Sequence, residues 1–514
     1  MKQIFTTLCL AIVSTATMAT DYTDMLTVSI NGTDVAQQPA TIVINQQDNG
    51  LYSLRLDNFM LGADMPVGNI LLTDVAATPS GDNATIQVTQ QVNITPGTLP
   101  GLGDGDYLGP MLGIIPICVN GEMTDNALYA IISIDLTATL GQNIVCTFGT
   151  GGYQLKNSGF EYFHTATMTN ASSDEPNNWH SFMSCTGSFA SLVGTVPHTF
   201  ISEDVRPGSL GTKSVLIKSG KVLGAVVANG TLTTGRLQAS AMVATDTKNC
   251  SFTDPSKSDL DANGDPFFAP FKGQPDSLAV WVRFSQETPQ AAHPYATVNA
   301  VLIDSKYYYQ DPEDKAYDNY LAKATCATIE SRGGAWQRLS IPFVYEEGVS
   351  LEPHYMHVTM STNADAGQGT GSDSLIVDDI QMIYNCGISS LKLKGQEIAP
   401  IEGTNTYEAV LSSEVSAADI AIVTDGRASN SHVSLQQMEG GVKALITVTA
   451  GDLKSNQYQL LIKGASLPTS ISGITNGACG ASENYNLNGQ RISHGQRGIV
   501  IERDANGIHK VLKK

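Results

Sequence analysis

The sequence has few charged residues, and positive ones are the scarcer kind. Only 15% of its 514 residues are charged, and 49 acids against 29 Lys and Arg give a formal net charge of −20 at pH 7. A chain this acidic repels phosphate backbones, which argues against general nucleic-acid binding. Patterns typical of long helices are also scarce, while 48 glycines suit a turn-rich all-β protein.

Long apolar runs are missing beyond the N-terminus, so the sequence predicts no transmembrane helix. Residues 1–20 contain Lys2, an apolar run over residues 4–13 and small residues that end at Met18-Ala19. This order is typical of a secretory signal peptide. Because Cys9 lies inside the apolar run, an ordinary cysteine is favoured over a lipid-anchor cysteine. We therefore expect an exported protein.

Cysteine is sparse and irregularly spaced. Seven cysteines follow residue 20, none of them in a CxxC pair, and most lie in or beside apolar strands. This spacing does not fit a zinc site or a disulfide framework. We expect the cysteines to be small buried hydrophobic residues. Cys118 and Cys146 are the one pair to consider for a disulfide.

Familiar catalytic motifs are missing as well. The nine histidines are scattered, and the sequence has no HExxH, no GxSxG, no glycine-rich phosphate loop and no Cys/His dyad signature. Glycoside hydrolysis needs two carboxylates at a set separation in a cleft. Composition cannot select such a pair among 49 acids. A non-catalytic protein is therefore favoured over an enzyme.

Short alternating strands, separated by turn signals such as Asp48-Asn49-Gly50, make up residues 21–150. Eight strands are expected, at residues 26–30, 41–44, 51–56, 69–75, 84–92, 112–119, 127–136 and 143–148. Eight short antiparallel strands predict an up-and-down barrel. The motifs LTVSING, TIVI followed by LYSLRLDNFML, and VGNILLTDV resemble the calycin-like barrel domain of exported Bacteroidetes proteins. The resemblance implies an interior that holds a small apolar ligand or, as is usual at eight strands, its own side chains.

A different order of strands follows in residues 155–386. It opens with Gly159-Phe160-Glu161, continues through a loop with Trp179 and two long middle strands, and closes with SDSLIVDDIQMIY, residues 372–384. This order predicts a jelly-roll sandwich. The segments KGQPDSLAVWVRF and SDSLIVDDIQMIY resemble the putative carbohydrate metabolism domain of secreted Bacteroidetes proteins. The resemblance implies a sandwich like that of carbohydrate-binding modules.

Two smaller units complete the predicted all-β chain. Residues 387–466 contain six strands at roughly ten-residue spacing, which predicts a small immunoglobulin-like sandwich. Residues 467–514 form a linker and a short β tail, YNLNGQ to KVLKK, which resembles the C-terminal tail of exported Bacteroidetes proteins. The tail is either a sorting signal or a small β-hairpin unit. These resemblances imply a location in the periplasm, on the outer-membrane surface or outside the cell.

Two adjacent acids, Asp378 and Asp379, interrupt the closing strand. Because side chains alternate along a strand, one acid must point inward or sit at a kink, and we assign that position to Asp378 and the solvent to Asp379. Glu161 on the opening strand and Asp378 on the closing strand are candidate ligands for a structural calcium ion. The alternative is a polar pair satisfied by backbone N–H groups and hydroxyls.

A second acidic pattern, Asp259-x-Asp261-x-Asn263-Gly264-Asp265, matches the first half of an EF-hand loop. The twelfth position would be Pro270, so the bidentate acid is missing, and no helices flank the run. We therefore expect an exposed Asx-rich turn.

Aromatic side chains in polar loops are the candidate sugar-binding groups. Trp281 and Trp336 lie in alternating strands, which predicts core packing instead. The predicted ligand-binding residues are Trp179, Phe267, Phe268, Tyr307 and Tyr308.

The favoured function is an exported, non-catalytic carbohydrate-binding protein that takes part in glycan capture at the bacterial cell envelope. The alternative is a structural or adhesive surface protein that contacts other envelope proteins without glycan specificity. A glycoside hydrolase is the third and least favoured class.

Overall fold

The structure, a computed structural model, describes residues 19–62, 64–80, 83–304 and 308–468, with four short segments near the C-terminus (483–485, 491–492, 498–504 and 507–513). The predicted signal peptide up to residue 18, and Tyr307, lie outside these residues. Two compact units are present: residues 1–387 with 425–430 and 449–455, and residues 388–424, 431–448 and 456–514. No helix in the described part of the chain is long and apolar enough to cross a membrane.

The first sheet confirms the predicted barrel but has nine strands instead of the expected eight, because residues 77–80 form an additional short strand. These are β1 Ala19–Ile30, β2 Thr33–Gln46, β3 Tyr52–Met60, β4 Pro66–Val75, β5 Ala77–Ser80, β6 Asn83–Asn93, β7 Ile114–Met123, β8 Leu128–Leu136 and β9 Gln142–Phe148. Their order in the sheet is β4-β3-β2-β1-β9-β8-β7-β6-β5, so every neighbouring pair except β1–β9 is also consecutive in sequence. Short α-helices, α1 Gly109–Leu112 and α2 Thr137–Leu140, and a 3-10 turn, Asp104–Asp106, lie in the connections.

The barrel is nearly closed between β4 and β6. Asn69 N donates to Thr95 O at 2.8 Å, and Thr95 N donates to Asn69 O at 3.2 Å. The side chain of Gln90 bonds to both backbone groups of Thr73 on the opposite strand. One continuous cluster of buried apolar residues, including Leu26, occupies the interior. Within the described residues the barrel is therefore filled by its own side chains.

The considered Cys118–Cys146 disulfide is wrong, because none of the six cysteines in the described residues forms a disulfide. Cys118 lies on β7 and pairs with Ser133 of β8, which in turn pairs with Val145 of β9. The two cysteines are thus two strands apart, about 9–10 Å, and a disulfide needs Cα atoms closer than about 7 Å.

The larger sandwich follows the barrel in the same compact unit. Its strands are β10 Phe163–Met168, β11 Ala171–Pro176, β12 Thr199–Ser202, β13 Ser214–Lys218, β14 Gly220–Val222, β15 Val226–Ala228, β16 Thr231–Thr233, β17 Arg236–Gln238, β18 Cys250–Thr253, β19 Ser277–Ser285, β20 Tyr295–Ile303, β21 Tyr309–Asp311, β22 Tyr320–Glu330, β23 Gln337–Pro342, β24 Val344–Tyr345, β25 Tyr355–Ser361 and β26 Ser374–Ile383. A 3-10 turn, Phe182–Ser184, and α3 Ala190–Val193 connect β11 to β12.

Two five-stranded sheets face each other in this sandwich, with orders β12-β13-β26-β19-β23 and β16-β25-β20-β22-β24. Alternate residues of each sheet point into one shared apolar core; on β19 these are Leu278, Val280, Val282 and Phe284. Small sheets, β10-β11, β14-β15 and β17-β18-β21, lie outside the two main ones. The period-two pattern of the sequence therefore produces the sandwich directly.

The double acid lies on a central strand, because β26 pairs with β13 on one side and β19 on the other. The expected opening strand at Gly159-Phe160-Glu161 is wrong, since Gly159 ends a turn and the next two residues belong to no strand. The turn is joined to β26 by a backbone bond from Ile380 N to Ser158 O at 2.9 Å. A bulge opposite Ala279–Trp281 accommodates the extra acid, and Asp379 adopts a φ of 44° there. Asp378 is fully buried, as predicted.

The second compact unit contains a three-stranded sheet, β28-β27-β30, and a four-stranded sheet, β29-β33-β32-β31. The strands are β27 Ile388–Leu393, β28 Gln396–Glu397, β29 Thr406–Val410, β30 Ile420–Thr424, β31 Asn430–Met438, β32 Gly441–Thr449 and β33 Ser455–Lys463, with a 3-10 turn at Ala417–Asp419. β29 and β33 pair in parallel, and the other pairs described in these sheets are antiparallel. Toward the C-terminus, β34 Glu483–Tyr485, β35 Arg491–Ile492, β36 Gly498–Asp504 and β37 Gly507–Lys513 form a further sheet.

Candidate functional site

Trp179 lies in the core of the larger sandwich, so the expectation of an exposed ring is wrong. Its side chain is 0% exposed and packs against Phe160 with the ring centroids 5.3 Å apart. The indole nitrogen donates to the carbonyl of Lys156 at 3.2 Å. The loop turns back on itself through a bond from Trp179 N to Pro176 O, 2.9 Å. This turn carries the ring inward, and no face is left for a sugar.

The other predicted loop rings do not form one platform. Phe267 is buried between the ring of His180 (4.5 Å) and the guanidinium of Arg236 (4.3 Å). Phe268 is half-buried, with its ring 5.2 Å from the ring of Tyr355 in an edge-to-face arrangement.

Tyr308 is also half-buried, and its ring stacks on Phe252 at 5.3 Å. Its hydroxyl donates to Gln310 Oε1 at 2.8 Å, and burial raises its pKa. Phe268 and Tyr308 are therefore partly exposed to solvent, but each ring packs against a different neighbouring ring, Tyr355 and Phe252 respectively.

The half-buried tryptophans lie elsewhere, on the outer face of the sheet β12-β13-β26-β19-β23. Trp281 and Arg283 alternate with the core residues of β19, and Arg338 on β23 pairs with Trp281. Trp336 directly precedes β23. We call Trp281, Trp336, Arg206, Arg283 and Arg338 the tryptophan face. The prediction that Trp281 and Trp336 pack in the core is wrong, because neither belongs to the buried apolar cluster.

A loop after β12 crosses this face and fixes its side chains. Asp204 accepts from the indole N–H of Trp336 at 3.2 Å and pairs with Arg283. Arg206 lies 5.7 Å above the ring of Trp281 and bonds to Asp379 through Nε at 2.5 Å. These contacts hold both indoles and two guanidinium groups in place, while Arg338 is exposed.

Glu161 and Asp378, the predicted calcium ligands, have separate partners. The Glu161 carboxylate accepts from the backbone N–H groups of Thr212 and Lys213, each at 3.0 Å. Asp378 Oδ2 accepts from Arg206 N at 2.9 Å, while Oδ1 is buried without a hydrogen bond. Burial raises the pKa of Asp378 to about 6. The Glu161 contacts fit the alternative to calcium, a carboxylate satisfied by backbone N–H groups. A calcium ion bound by Glu161 and Asp378 stays a prediction.

A different set of ionisable side chains converges inside the larger sandwich, and we call it the histidine–carboxylate cluster. It consists of His164, Glu175, His180 and Asp261. His164 on β10 is directly opposite Glu175 on β11, so both side chains lie on one face of the hairpin. His180 is held beside β16 by reciprocal backbone bonds with Thr233, at 2.8 and 3.0 Å.

Asp261 reaches the cluster from the acidic turn. Its Oδ1 accepts from the backbone N–H groups of Asn263 and Asp265, both at 2.8 Å, which confirms the predicted Asx turn. The expectation of an exposed run is wrong at Asp261, whose side chain is 0% exposed. Its Oδ2 lies 3.4 Å from His164 Nε2 and 3.5 Å from His180 Nδ1. His164 Nε2 is also 3.7 Å from Glu175 Oε2.

Burial shifts the pKa values of His180 and Glu175 in this cluster. His180 is fully buried, and desolvation lowers its pKa to about 4. Desolvation raises the pKa of Glu175, opposed by bonds from Ser181 and Ser184 to its Oε1. His164, Glu175 and Asp261 each offer a possible metal-ligand atom, and these three atoms lie within 4.8 Å of one another. Among the described residues, they are the group of side chains close enough to hold a metal ion.

The comparisons with known proteins identify the barrel. Residues 18–151 match the family described as a calycin-like beta-barrel domain. None of the curated proteins matches the chain.

Solved structures give weaker likenesses. One is a putative glycoside hydrolase from Bacteroides thetaiotaomicron, with 10% identity and a TM-score of 0.33, covering 52% of this chain and 86% of that chain. Another comes from carbohydrate-binding modules of the beta-sandwich superfamily, with 8% identity, a TM-score of 0.20 and coverage of 71% and 98%. A third is a putative outer membrane protein from Bacteroides fragilis, with 9% identity, a TM-score of 0.18 and coverage of 66% and 97%. Likenesses at this level support no argument about activity.

Proposed function

We propose that the protein is a non-catalytic carbohydrate-binding protein and that its glycan lies on the tryptophan face of the larger sandwich. The observation that carries the proposal is the pair Trp281 and Trp336, half-buried on the outer face of a sheet and outside the apolar core. Indole rings offer a large apolar surface with a polar edge, which suits the C–H faces and hydroxyls of a sugar.

Charged groups around the indoles support the same assignment. Guanidinium groups present several N–H donors in a fixed plane, and three of them (Arg206, Arg283 and Arg338) occupy this face. Two of the three are already oriented, by Asp379 and Asp204 respectively. A surface whose side chains are fixed before binding loses less conformational entropy when the ligand arrives.

We further propose that the protein is exported and works at the bacterial cell envelope. The signal-peptide pattern of residues 1–20 and the tail pattern YNLNGQ to KVLKK support this location. The sequence resemblance of residues 155–386 to a carbohydrate-metabolism domain agrees with a glycan ligand.

The test is glycan-array binding of the full chain, followed by calorimetry with the strongest glycan. Trp281→Ala and Trp336→Ala should each weaken binding at least about tenfold, which corresponds to about 1.4 kcal/mol. Both variants should keep the melting temperature within a few degrees of the wild type. Tyr162→Ala is the matched control, because Tyr162 is 52% exposed and its hydroxyl contacts Met25 of β1, at 3.8 Å from the sulfur, and none of the side chains of the tryptophan face.

The outcomes separate the three classes of function. A silent array would favour a structural or adhesive protein. Binding that survives both tryptophan substitutions would place the glycan elsewhere and overturn the assignment. Turnover of a polysaccharide that a single acid→Ala substitution abolishes would indicate an enzyme.

A further inference from the structure

Four buried atoms of the histidine–carboxylate cluster are without a hydrogen bond. They are His164 Nε2, Glu175 Oε2, His180 Nδ1 and Asp261 Oδ2. Buried polar atoms in native proteins almost always have partners, because each one left without a hydrogen bond keeps the full cost of its desolvation. Four in one place therefore indicate a common partner.

The contacts on the outer side of each group show which atoms carry protons. His180 Nε2 lies 3.2 Å from the carbonyl oxygen of Pro266, which can only accept, so Nε2 carries the hydrogen and Nδ1 presents a lone pair. His164 Nδ1 lies 3.1 Å from Asn177 Oδ1 and donates to it in the same way. His164 Nε2 therefore also presents a lone pair to the cluster.

In each carboxylate, one oxygen accepts hydrogen bonds and the other has none. Glu175 Oε1 accepts three hydrogen bonds, from Ser181 N (2.7 Å), Ser181 Oγ (2.5 Å) and Ser184 Oγ (3.0 Å), and Oε2 has none. Asp261 Oδ1 accepts two backbone bonds in the Asx turn, and Oδ2 has none. One oxygen of each acid thus fixes its orientation. The other oxygen faces both imidazole lone pairs in Asp261 and the lone pair of His164 in Glu175.

Hydrogen bonds within the cluster do not resolve this arrangement. The distances of 3.4, 3.5 and 3.7 Å exceed the usual range of about 2.7–3.2 Å for N–H···O bonds. A proton on one of the four atoms could form one hydrogen bond. The remaining lone pairs would still face each other without a partner. One central cation would satisfy all four lone pairs together.

We propose that the histidine–carboxylate cluster is a structural zinc site, with two imidazole nitrogens and two carboxylate oxygens as the four ligands. Zinc bonds of about 2.0–2.2 Å place tetrahedral ligands about 3.3–3.6 Å apart, close to the separations of 3.4 Å (Asp261–His164), 3.5 Å (Asp261–His180) and 3.7 Å (Glu175–His164). The ligand atoms of His164, Glu175 and Asp261 lie within 4.8 Å of one another, and His180 joins them through its contact with Asp261. The two carboxylates balance the charge of Zn²⁺. His164 and Glu175 come from one hairpin, His180 from the following turn, and Asp261 from a distant loop, so the ion joins three segments of the sandwich.

The ligand types and burial define the metal class and the role. Calcium and magnesium prefer oxygen ligands, whereas imidazole suits zinc and its neighbours in the first transition row. The side chains of Glu175, His180 and Asp261 are 0% exposed and that of His164 is 10% exposed. Four protein ligands in a closed site are typical of structural zinc, because catalytic zinc keeps an open position for water or substrate. The second contacts of both histidines fix their tautomers, as is usual around bound metals.

The experiment measures metal content and thermal stability of the full chain. The purified protein is dialysed without chelator, and zinc and calcium are determined by mass spectrometry, with melting curves before and after treatment with EDTA and after re-addition of zinc or calcium. The substitutions are Asp261→Asn and His164→Gln, which change ligand atoms with little change in shape. Asp259→Asn is the matched control, because Asp259 is two residues away and forms an exposed ion pair with Arg236.

We expect about one zinc per wild-type chain and per Asp259→Asn chain, and almost none in Asp261→Asn or His164→Gln. EDTA should lower the wild-type melting temperature by roughly 10 °C, and zinc but not calcium should restore it. Equal zinc in all four proteins, or an EDTA-treated melting curve identical to the untreated one, would overturn the site. Restoration by calcium alone would overturn the choice of metal. Should a ligand variant fail to fold, the wild-type zinc content and its EDTA response still decide.

Discussion

Two fully buried histidines of the larger sandwich, His180 and His357, have opposite surroundings. Burial lowers the pKa of His357 to about 3 and that of His180 to about 4, so both are neutral at pH 7. His357 Nε2 lies 2.9 Å from Ser251 Oγ, and Nδ1 lies 2.9 Å from Thr253 Oγ1. His180 Nδ1 instead faces the carboxylate of Asp261 at 3.5 Å.

The chemistry of the neighbours decides what each imidazole can do. A hydroxyl donates or accepts as required, so Ser251 and Thr253 satisfy both nitrogens of His357 in either tautomer. An ionised carboxylate only accepts, and it cannot satisfy a lone pair without a proton or a metal ion between them. Burial alone therefore does not separate a histidine of the core from a metal ligand, whereas the hydrogen-bonding capacity of its neighbours does.

The largest expected effect is that of His180→Ala. The substitution should abolish zinc binding and lower the free energy of unfolding by about 4 kcal/mol or more. Without the zinc ion, the buried carboxylates of Glu175 and Asp261 lose the positive charge that balances them. Urea unfolding monitored by tryptophan fluorescence is a suitable measurement, since Trp179 is buried in the same sandwich. A variant that unfolds at the wild-type urea concentration would contradict the assignment.

His357→Ala, the same substitution at the other histidine, should lower the free energy of unfolding by less than His180→Ala and should leave zinc bound. It creates a cavity and leaves two buried hydroxyls with one partner fewer, for a loss of about 2–4 kcal/mol. Zinc content should stay at the wild-type level. Loss of zinc in this variant would show that the two histidines are not independent.

Acid should reveal the lowered pKa of His357. Its folded-state pKa lies below the unfolded value of about 6.5, so the unfolded state binds more protons between pH 6.5 and about 3. The contribution of His357 to stability is therefore complete above pH 6.5 and is lost as the pH falls toward 3. His357→Gln removes this titration, so the stability difference between wild type and variant should shrink by a few kcal/mol over that range. Parallel curves for the two proteins would contradict the prediction.

The smallest expected effect is that of Asp259→Asn. Asp259 pairs with Arg236 at the surface, with side chains 47% and 25% exposed, and such pairs contribute about 1 kcal/mol or less. Asp261→Asn, two residues along the same turn, should destabilise the protein several times more. Equal effects in thermal melts would mean that the turn itself, and not the ligand at Asp261, matters.

The barrel and the sandwiches could be predicted from the sequence because their determinants are local. Strand alternation and turns such as Asp48-Asn49-Gly50 are visible within a few residues, and the barrel pairs strands that are mostly consecutive. The alternation of SLAVWVRF also places Trp281 with Arg283, on the face opposite Val280 and Val282. The expectation that Trp281 packs in the core is wrong because it neglects this period of two, which is local to the strand.

The cluster could not be predicted in this way. Its first and last ligands, His164 and Asp261, are almost a hundred residues apart, and they meet only because the β10–β11 hairpin and the acidic turn pack together. The pattern at Asp259–Asp265 correctly indicates an Asx turn, but the burial of Asp261 depends on that long-range contact. Cysteine spacing argues against a cysteine-bound zinc ion, and it says nothing about histidine and carboxylate ligands. The one local signal is the pair His164 and Glu175, placed opposite each other by the hairpin.

X-ray absorption at the zinc edge of the full wild-type chain tests the central claim most directly. The structure predicts a first shell of four nitrogen and oxygen atoms at about 2.0–2.2 Å, with the outer-shell scattering of two imidazole rings and no sulfur at about 2.3 Å. A sulfur shell would place the zinc on cysteines, and an oxygen-only shell without imidazole would indicate a hydrated surface ion. Either of these spectra, or a protein without zinc, would contradict the assignment of His164, Glu175, His180 and Asp261 as ligands.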